Sequence, residues 1–415
     1  MQNGDLIDLD ITGVAHGGIF VARHEGRVIF VPDTLPGERV RVRITDTRKK
    51  SFWRAETVEV LDAAPERRPH VWSSASIDRA PDERAGGAEF GHIELAHQRA
   101  LKERVIRESL ERVGRMELSV DVRPAGPDET VDGTGWRTRV SLHVDDAGRV
   151  GPFAPRSHRV IETPDLPLAT DAIAQVAADL RGAAPGRLDL VQPADGRVRV
   201  LARPDGGRAG GAPETVEERV GDRVFRVDAG GFWQVHRLAA AALTDAVVES
   251  LRASVGELDP DATHLDLYGG VGLFAATLAE LGGPFTRVVS VESDARATEH
   301  AGENLAEWIG VRAETARVDR YVAGLTRDAS ERERDRLSRG VVVLDPPRAG
   351  AGREVVEGVA RLDPHAVVYV ACDPVALARD LATFAAHGYR AVDGIRGLDL
   401  FPNSHHVEAV VALRR

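Results

Sequence analysis

Apolar residues in this chain recur in two rhythms, and the changes between them divide it. Over residues 14–61 the runs are short: Ile19-Phe20-Val21, Val28-Ile29-Phe30-Val31 and the strictly alternating Val40-Arg41-Val42-Arg43-Ile44. Gly13, Gly17-Gly18, Glu25-Gly26 and Pro36-Gly37 punctuate them, which predicts short strands joined by tight turns, a small β-barrel. Residues 62–84, rich in proline, alanine and charge, read as a linker. Over 94–113 the period becomes helical, through Leu95, Leu101, Val105, Ile106, Leu110 and Val113. Residues 136–144 alternate like a strand, Gly151-Pro152-Phe153 reads as a turn, and 157–161 reads as a strand. A separate central α+β unit is therefore expected, with a flexible loop at the Gly- and Pro-rich stretch 204–213. From Val224 onward apolar strands alternate with helical segments, which predicts a parallel sheet covered on both faces. The resulting division is 1–62 for the barrel, 63–223 for the central domain and 224–415 for a Rossmann-like α/β domain.

Composition narrows this multidomain picture. The chain has 415 residues, 43% hydrophobic and 29% charged, enough for several packed cores. Its formal net charge of −11, from 54 basic and 65 acidic residues, argues against nonspecific nucleic-acid binding. Local basic strips remain open. One such strip is Arg48-Lys49-Lys50-Ser51-Phe52-Trp53-Arg54, which holds two of the three lysines beside two aromatics. Cations for phosphates and rings for bases suit RNA, and Arg48, Lys49, Lys50 and Trp53 are candidate contacts. A solvated, charged edge strand explains the same composition. Arg137 and Arg139 share one face of the 136–144 strand and are further RNA candidates, with plain solvation as the alternative. A single cysteine excludes internal disulfides and suits a reducing cytoplasm. Neither a secretory leader nor a membrane-spanning run is read, so a soluble cytoplasmic monomer is expected.

Four chemically useful features fall at predicted strand ends. His264-Leu265-Asp266-Leu267-Tyr268 runs into Gly269-Gly270-Val271-Gly272, and the next strand ends in Glu292. Glycines let a backbone approach a nucleotide-like ligand, and an acid about 20 residues on takes ribose hydroxyls. A dinucleotide would fit that pattern as well. The strand Val341-Val342-Val343-Leu344 runs into Asp345-Pro346-Pro347-Arg348, and Ala366-Val367-Val368-Tyr369-Val370-Ala371 runs into Cys372-Asp373-Pro374. Parallel strand ends share one rim, where open α/β sheets bind ligands. The helix predicted after Pro374 would favour a Cys372 thiolate; a lone cysteine also serves as a small apolar filler. Asp345 could equally cap a helix. Glu408 begins an apolar strand near the end of the chain, as a buried acid with a raised pKa or as an outward-facing glutamate.

These residues resemble two families. Gly13-Val14-Ala15-His16-Gly17-Gly18, Val28-Ile29-Phe30-Val31-Pro32 and Leu35-Pro36-Gly37-Glu38-Arg39-Val40 are similar to a TRAM domain, a small barrel appended to RNA-modifying enzymes. Asp228-Ala229-Gly230-Gly231-Phe232-Trp233-Gln234-Val235-His236, the glycine loop, Leu344-Asp345-Pro346-Pro347-Arg348, Cys372-Asp373-Pro374 and Phe401-Pro402 through His406 and Glu408 resemble the RNA uracil-C5 methyltransferase family. The resemblance implies S-adenosylmethionine as cofactor, held by Gln234, Tyr268, Gly270, Glu292 and Asp345, and transfer or ribosomal RNA as partner. It gives Cys372 the role of nucleophile, Glu408 that of base, and Asp345 contacts to the uracil edge. Many relatives carry a four-cysteine iron–sulfur cluster; here Ala85-Gly86-Gly87-Ala88 stands in that place, so no cluster is expected. Arg317 stands where relatives often have an acid, and the adenine-side contact is open. Alternative readings are an exocyclic-amine RNA or DNA methyltransferase, a nicotinamide-dependent oxidoreductase, and a non-catalytic RNA-binding protein.

Overall fold

The computed structural model describes residues 1–206 and 213–415, so most of the expected flexible loop at 204–213 lies outside the described residues. The N-terminal strands β1 (Leu6–Ala15), β2 (Ile19–His24), β3 (Arg27–Val31), β4 (Arg39–Asp46) and β5 (Phe52–Asp62) close into a barrel in the order β1-β2-β3-β5-β4. Period-two alternation sends Val40, Val42 and Ile44 of β4 into the barrel core with Ile11, Phe20 and Ile29. Arg41 and Arg43 face outward, where they meet Asp8 at 2.9 Å and Glu56 at 2.6 Å.

The stretch expected to be a linker is packed instead. Trp72, Ala75, Ala85 and Ala88 form an apolar cluster with Trp136, Ile161 and Leu168. The two alanines standing at the cluster-cysteine positions are thus part of a small core. Arg84 is buried and ties the segment to the barrel, donating to Asp33 Oδ2 at 2.7 Å and Thr57 O at 3.1 Å. Its charge serves an internal ion pair rather than solvation.

Helix α1 (Leu95–Ser109) continues through one wider turn, Leu110–Gly114, and leads to β6 (Val120–Pro124). Both depart from the expected central unit. Ile106 and Leu110 share the core of the C-terminal domain, and β6 pairs in parallel with the strand Ile395–Asp399. What remains of the central unit is the sheet β7 (Arg139–Val144), β8 (Val150–Gly151), β9 (Gly186–Val191) and β10 (Arg199–Pro204), in the order β10-β9-β7-β8. Helix α2 (Asp171–Ala178) packs on it through Ile173. The strand starts at Arg139 rather than Trp136, because Trp136 is drawn into the apolar cluster and stacks on His236 at 5.4 Å. The strand expected at 157–161 reduces to a single bridge between Phe153 and Val160.

A hairpin, β11 (Thr215–Val220) with β12 (Arg223–Asp228), and helix α3 (Ala239–Val255) open the C-terminal domain. There follow β13 (Thr263–Leu267), α4 (Leu273–Gly282), β14 (Arg287–Glu292), α5 (Ala295–Asn304), β15 (Val311–Thr315), α6 (Val318–Asp328) and α7 (Glu331–Arg339). Then come β16 (Val341–Leu344), α8 (Arg353–Leu362), β17 (Ala366–Ala371), α9 (Pro374–Ala386), β18 (Arg390–Ala391), β19 (Ile395–Asp399) and β20 (Glu408–Arg414). The main sheet runs β15-β14-β13-β16-β17-β20-β19-β6. Strands β15 to β17 are mutually parallel, as the continuous apolar runs predict, while β20 is antiparallel to β17. Strand order reverses at β13, with β14 on one side and β16 on the other, which opens a crevice at the carboxyl ends.

Candidate active site

Sheet register builds the centre of the site. In the antiparallel pair β17–β20, Ala371 lies opposite Ala409. Cys372 follows Ala371 and Glu408 precedes Ala409, so both lie at this end of the strand pair, and the Glu408 carboxylate acts on the Cys372 thiol. Leu344 lies beside Tyr369 in the parallel pair β16–β17, so Asp345 emerges on the same rim. Glu408, Asp345 and Arg348 all act on Cys372, and Asp345 and Arg348 act on Glu408. Burial pushes the Cys372 thiol up to about 12, the carboxylates of Glu408 and then Asp345 add to the rise, and Arg348 opposes it. Burial raises Glu408 well above the usual carboxylate range, Asp345 adds to this, and Arg348 again opposes. Asp345 rises to about 7, through burial and then the charge of Asp266.

The acid expected at Glu408 is thus buried, at 7% exposure, with its pKa raised. The expected thiolate is corrected. Helix α9 does begin behind Cys372, but Asp373 Oδ1 already accepts from Val375 N at 3.0 Å and Ala376 N at 2.8 Å, using the free donors of the first turn. Burial, then the carboxylates of Glu408 and Asp345, disfavour the thiolate instead. Arg348 and His406 are the residues that the motif reading left without a role. His406 lies 3.5 Å from Arg348 and belongs to the loop before β20. That loop is anchored by α1. Lys102 Nζ donates to Asp399 Oδ1 at 2.5 Å and Phe401 O at 3.0 Å, and Gln98 holds Asn403 through the Asn403 N–H at 2.8 Å. One of the three lysines is thus buried in an ion pair, a place that sequence periodicity on α1 does not reveal.

The glycine loop lies beside this centre. Tyr268 takes a left-handed backbone, φ 67°, and its N–H donates to Val291 O at 2.9 Å. A side chain at Gly269 would put its Cβ 2.0 Å from Ser290 Oγ, whereas Gly270 has open space around it. Glu292 Oε2 accepts from Gly270 N at 3.2 Å, which fixes the carboxylate over the loop. Gln234 is half-buried beside the exposed Phe232, on a turn held from behind. An exposed backbone at Gly270, an oriented carboxylate and an unpacked aromatic ring fit a nucleoside-bearing cofactor. Arg317 pairs with Asp319 through two contacts, at 2.8 Å and 3.1 Å, so an acid does stand on that side of the rim, two residues later.

Two of the expected RNA contacts are redirected. Trp53 points into the barrel, because alternation along β5 turns Phe52 outward instead. Phe52 lies 5.3 Å from Phe30, ring to ring, and the Arg54 guanidinium lies over both rings. Arg139 donates to Ala229 O at 3.1 Å and Gly231 O at 2.7 Å and pairs with Glu218 at 3.2 Å, so it holds the turn carrying Phe232 and Gln234. Arg137 is half-buried and donates to Arg139 O at 3.0 Å. Arg48 is exposed and paired with Asp46 at 2.7 Å, and Lys49 and Lys50 are exposed beside it. A pocket of about 80 Å³ opens at Cys372, lined on one side by residues 15–18 of the barrel and on the other by Asp373, Arg348, His405 and His406. No helix among the described residues is long and apolar enough to cross a membrane, and none of their His, Cys, Asp and Glu side chains form a metal-holding group.

Comparison with known proteins agrees with this layout. Residues 1–53 match the family model of the TRAM domain, and residues 217–415 match that of tRNA (Uracil-5-)-methyltransferase. A protein of Streptomyces coelicolor named an uncharacterized RNA methyltransferase is 38% identical, over 99% of this chain and 93% of its own. A protein of Bifidobacterium longum with the same description is 35% identical, over 98% of this chain and 96% of its own. In three dimensions the chain is similar to Pyrococcus abyssi tRNA (uracil-54, C5)-methyltransferase, solved in complex with S-adenosyl-L-homocysteine. The TM-score is 0.69 at 20% identity, covering 98% of this chain and 100% of that one.

Proposed function

Because the chain belongs to the RNA methyltransferase family described by the tRNA (Uracil-5-)-methyltransferase model, we propose that it methylates C5 of a uridine in structured RNA, transfer or ribosomal, through a covalent Cys372–C6 adduct. Family membership sets aside the nicotinamide-dependent oxidoreductase and the non-catalytic binding protein. The observation that carries the reading is Cys372 at the end of β17 beside a buried, high-pKa Glu408 at the start of β20. An exocyclic-amine methyltransferase needs neither group.

S-adenosylmethionine, when bound, would supply an electrophilic methyl group carried on a sulfonium. Gln234, Tyr268, Gly270 and Glu292 are the residues that would hold it, beside Asp345. Uracil C5 is a weak nucleophile. The partly exposed Cys372 thiol loses its proton to water, and addition of its sulfur to C6 forms a C–S bond and shifts electron density to C5 and the O4 carbonyl. Asp345, titrating near neutrality, can donate to or accept from the uracil edge and steady that charge. After C5 has gained its methyl group, Glu408 takes the C5 proton, the C5–C6 double bond re-forms and the C–S bond breaks, releasing the thiolate. A base whose pKa is raised is matched to that task. Arg348 lowers the cost of both anions. The target base leaves its stack to reach Cys372. Lys49, Lys50, Arg48, Phe52 and Arg54 form the barrel's basic and aromatic strip and suit RNA backbone and base contacts.

The test is product analysis. RNA from cells with and without the protein is digested and mapped for 5-methyluridine. Loss of that nucleoside at one position is expected; an unchanged 5-methyluridine map with a lost N-methylated base would overturn the reading.

A further inference from the structure

We infer that His16, on the turn between β1 and β2, is a positioning residue for Cys372: it balances the Asp373 carboxylate beside the nucleophile, so that the barrel completes the reactive pocket. The inference rests on the reading of Cys372 as nucleophile. The two oxygens of Asp373 have different partners. Oδ1 takes the first N–H groups of α9, and Oδ2 meets His16 Nε2 at 3.1 Å. Asp373 is therefore held ionised at the residue next to Cys372, and its second oxygen is matched by a group from another domain. The contact is seated closely. Gly18, φ +70°, lies so near the 400–407 loop that an added Cβ would stand 2.5 Å from His405 Cβ. Arg104 of α1 packs against Gly13 on the same side of the barrel.

The groups facing Cys372 explain why this matters. Glu408 of β20 and Asp345 after β16 already disfavour the thiolate, and Arg348 opposes them. His405 and His406 line the same pocket from the loop before β20, and Lys102 reaches it while tied to Asp399. Asp373 and His16 line that pocket as well, Asp373 as a further carboxylate and His16 as its partner. The hydrogen bond to Asp373 raises the pKa of His16, so the imidazole carries a proton at mildly acidic pH. Losing that charge leaves Asp373 uncompensated, and the thiolate becomes rarer.

Cys372 is the single cysteine of the chain, so its ionisation is read directly by alkylation of the full-length protein with N-ethylmaleimide, without RNA. At pH 6.5 His16→Ala is expected to slow alkylation about tenfold, the equivalent of about one unit in the thiol's pKa. The deficit shrinks as pH rises and His16 of the unmodified chain loses its proton. In an Asp373→Asn background, which keeps the helix cap, His16→Ala has no effect. Equal rates at pH 6.5, a deficit independent of pH, or the same deficit in the Asp373→Asn background would each overturn the inference. Thermal unfolding of each variant checks that the barrel stays seated. Failure of the uridine reading is registered separately, by the absence of 5-methyluridine, and does not alter this titration.

Discussion

Replacing Glu408 by glutamine tests the base without changing the shape of the site. The side chain is 7% exposed, and burial, then Asp345, holds its carboxyl well above the ordinary range. Removing a positioned general base costs about 10²–10⁴ in rate. Addition of Cys372 to C6 does not use Glu408, so the enzyme–RNA adduct still forms and persists. Stability moves the other way. For a carboxyl whose folded pKa is raised, the folded state binds more protons than the unfolded one, so stability falls as pH rises from about 4.5 through the folded value. Asp345, raised to about 7, adds a second fall from about pH 4 to 7. Three units correspond to about 4 kcal/mol, and solvent at the partly open rim reduces this to the order of 2. Glu408→Gln removes the Glu408 share. Its urea midpoint is expected to drop less between pH 5 and pH 8 than that of the unmodified chain. Turnover is read as 5-methyluridine formed per minute, and the adduct as a protein band retarded by RNA after denaturation. Turnover within tenfold of the unmodified chain, or a variant with a steeper loss of stability at alkaline pH, would refute the role assigned to Glu408.

Other perturbations separate structure from chemistry. Lys102→Met leaves Asp399 buried with Arg99 Nε at 3.3 Å as its nearest cation, and is expected to cost about 3 kcal/mol, the low end for breaking a buried pair. Equilibrium unfolding in urea measures this, and a loss under 1 kcal/mol would show that the pair does not hold the loop. Trp53→Ala and Phe52→Ala are expected to differ in kind. The first empties the barrel core and destabilises it by about 3 kcal/mol, while the second weakens RNA binding about tenfold with little change in stability. Thermal unfolding and a filter-binding titration distinguish them, and the reverse outcome would restore Trp53 as the stacking residue.

The sequence made the rim legible because each piece of it is local. A strand running into Cys372-Asp373-Pro374, another into Asp345-Pro346-Pro347, and a glycine loop followed by Glu292 are statements about neighbouring residues, and each lies where the pattern put it. What the sequence hid depends on distant contacts. Asp373 caps α9 and meets His16 357 positions away, so helix position alone misjudged the thiol. The 62–84 stretch has the composition of a linker, yet Arg84 finds Asp33 and Trp72 finds a core. Residues 95–124 read as part of a central domain because α1 and β6 precede its sheet, but Ile106, Leu110, Val120 and Val122 join the C-terminal core and Leu101 joins that of the barrel. Which of the two adjacent aromatics points out of the barrel is set by the register of β5, which buries Trp53 and turns Phe52 outward.

The central claim is one nucleophile acting on one pyrimidine ring. RNA transcribed with 5-fluorouridine has no proton at C5 to lose, so an enzyme that adds sulfur to C6 and methylates C5 is trapped on it. A denaturation-resistant protein–RNA complex is expected that requires S-adenosylmethionine and Cys372 and is absent in Cys372→Ala. A complex that forms equally with Cys372→Ala, or 5-methyluridine made by that variant, would contradict it.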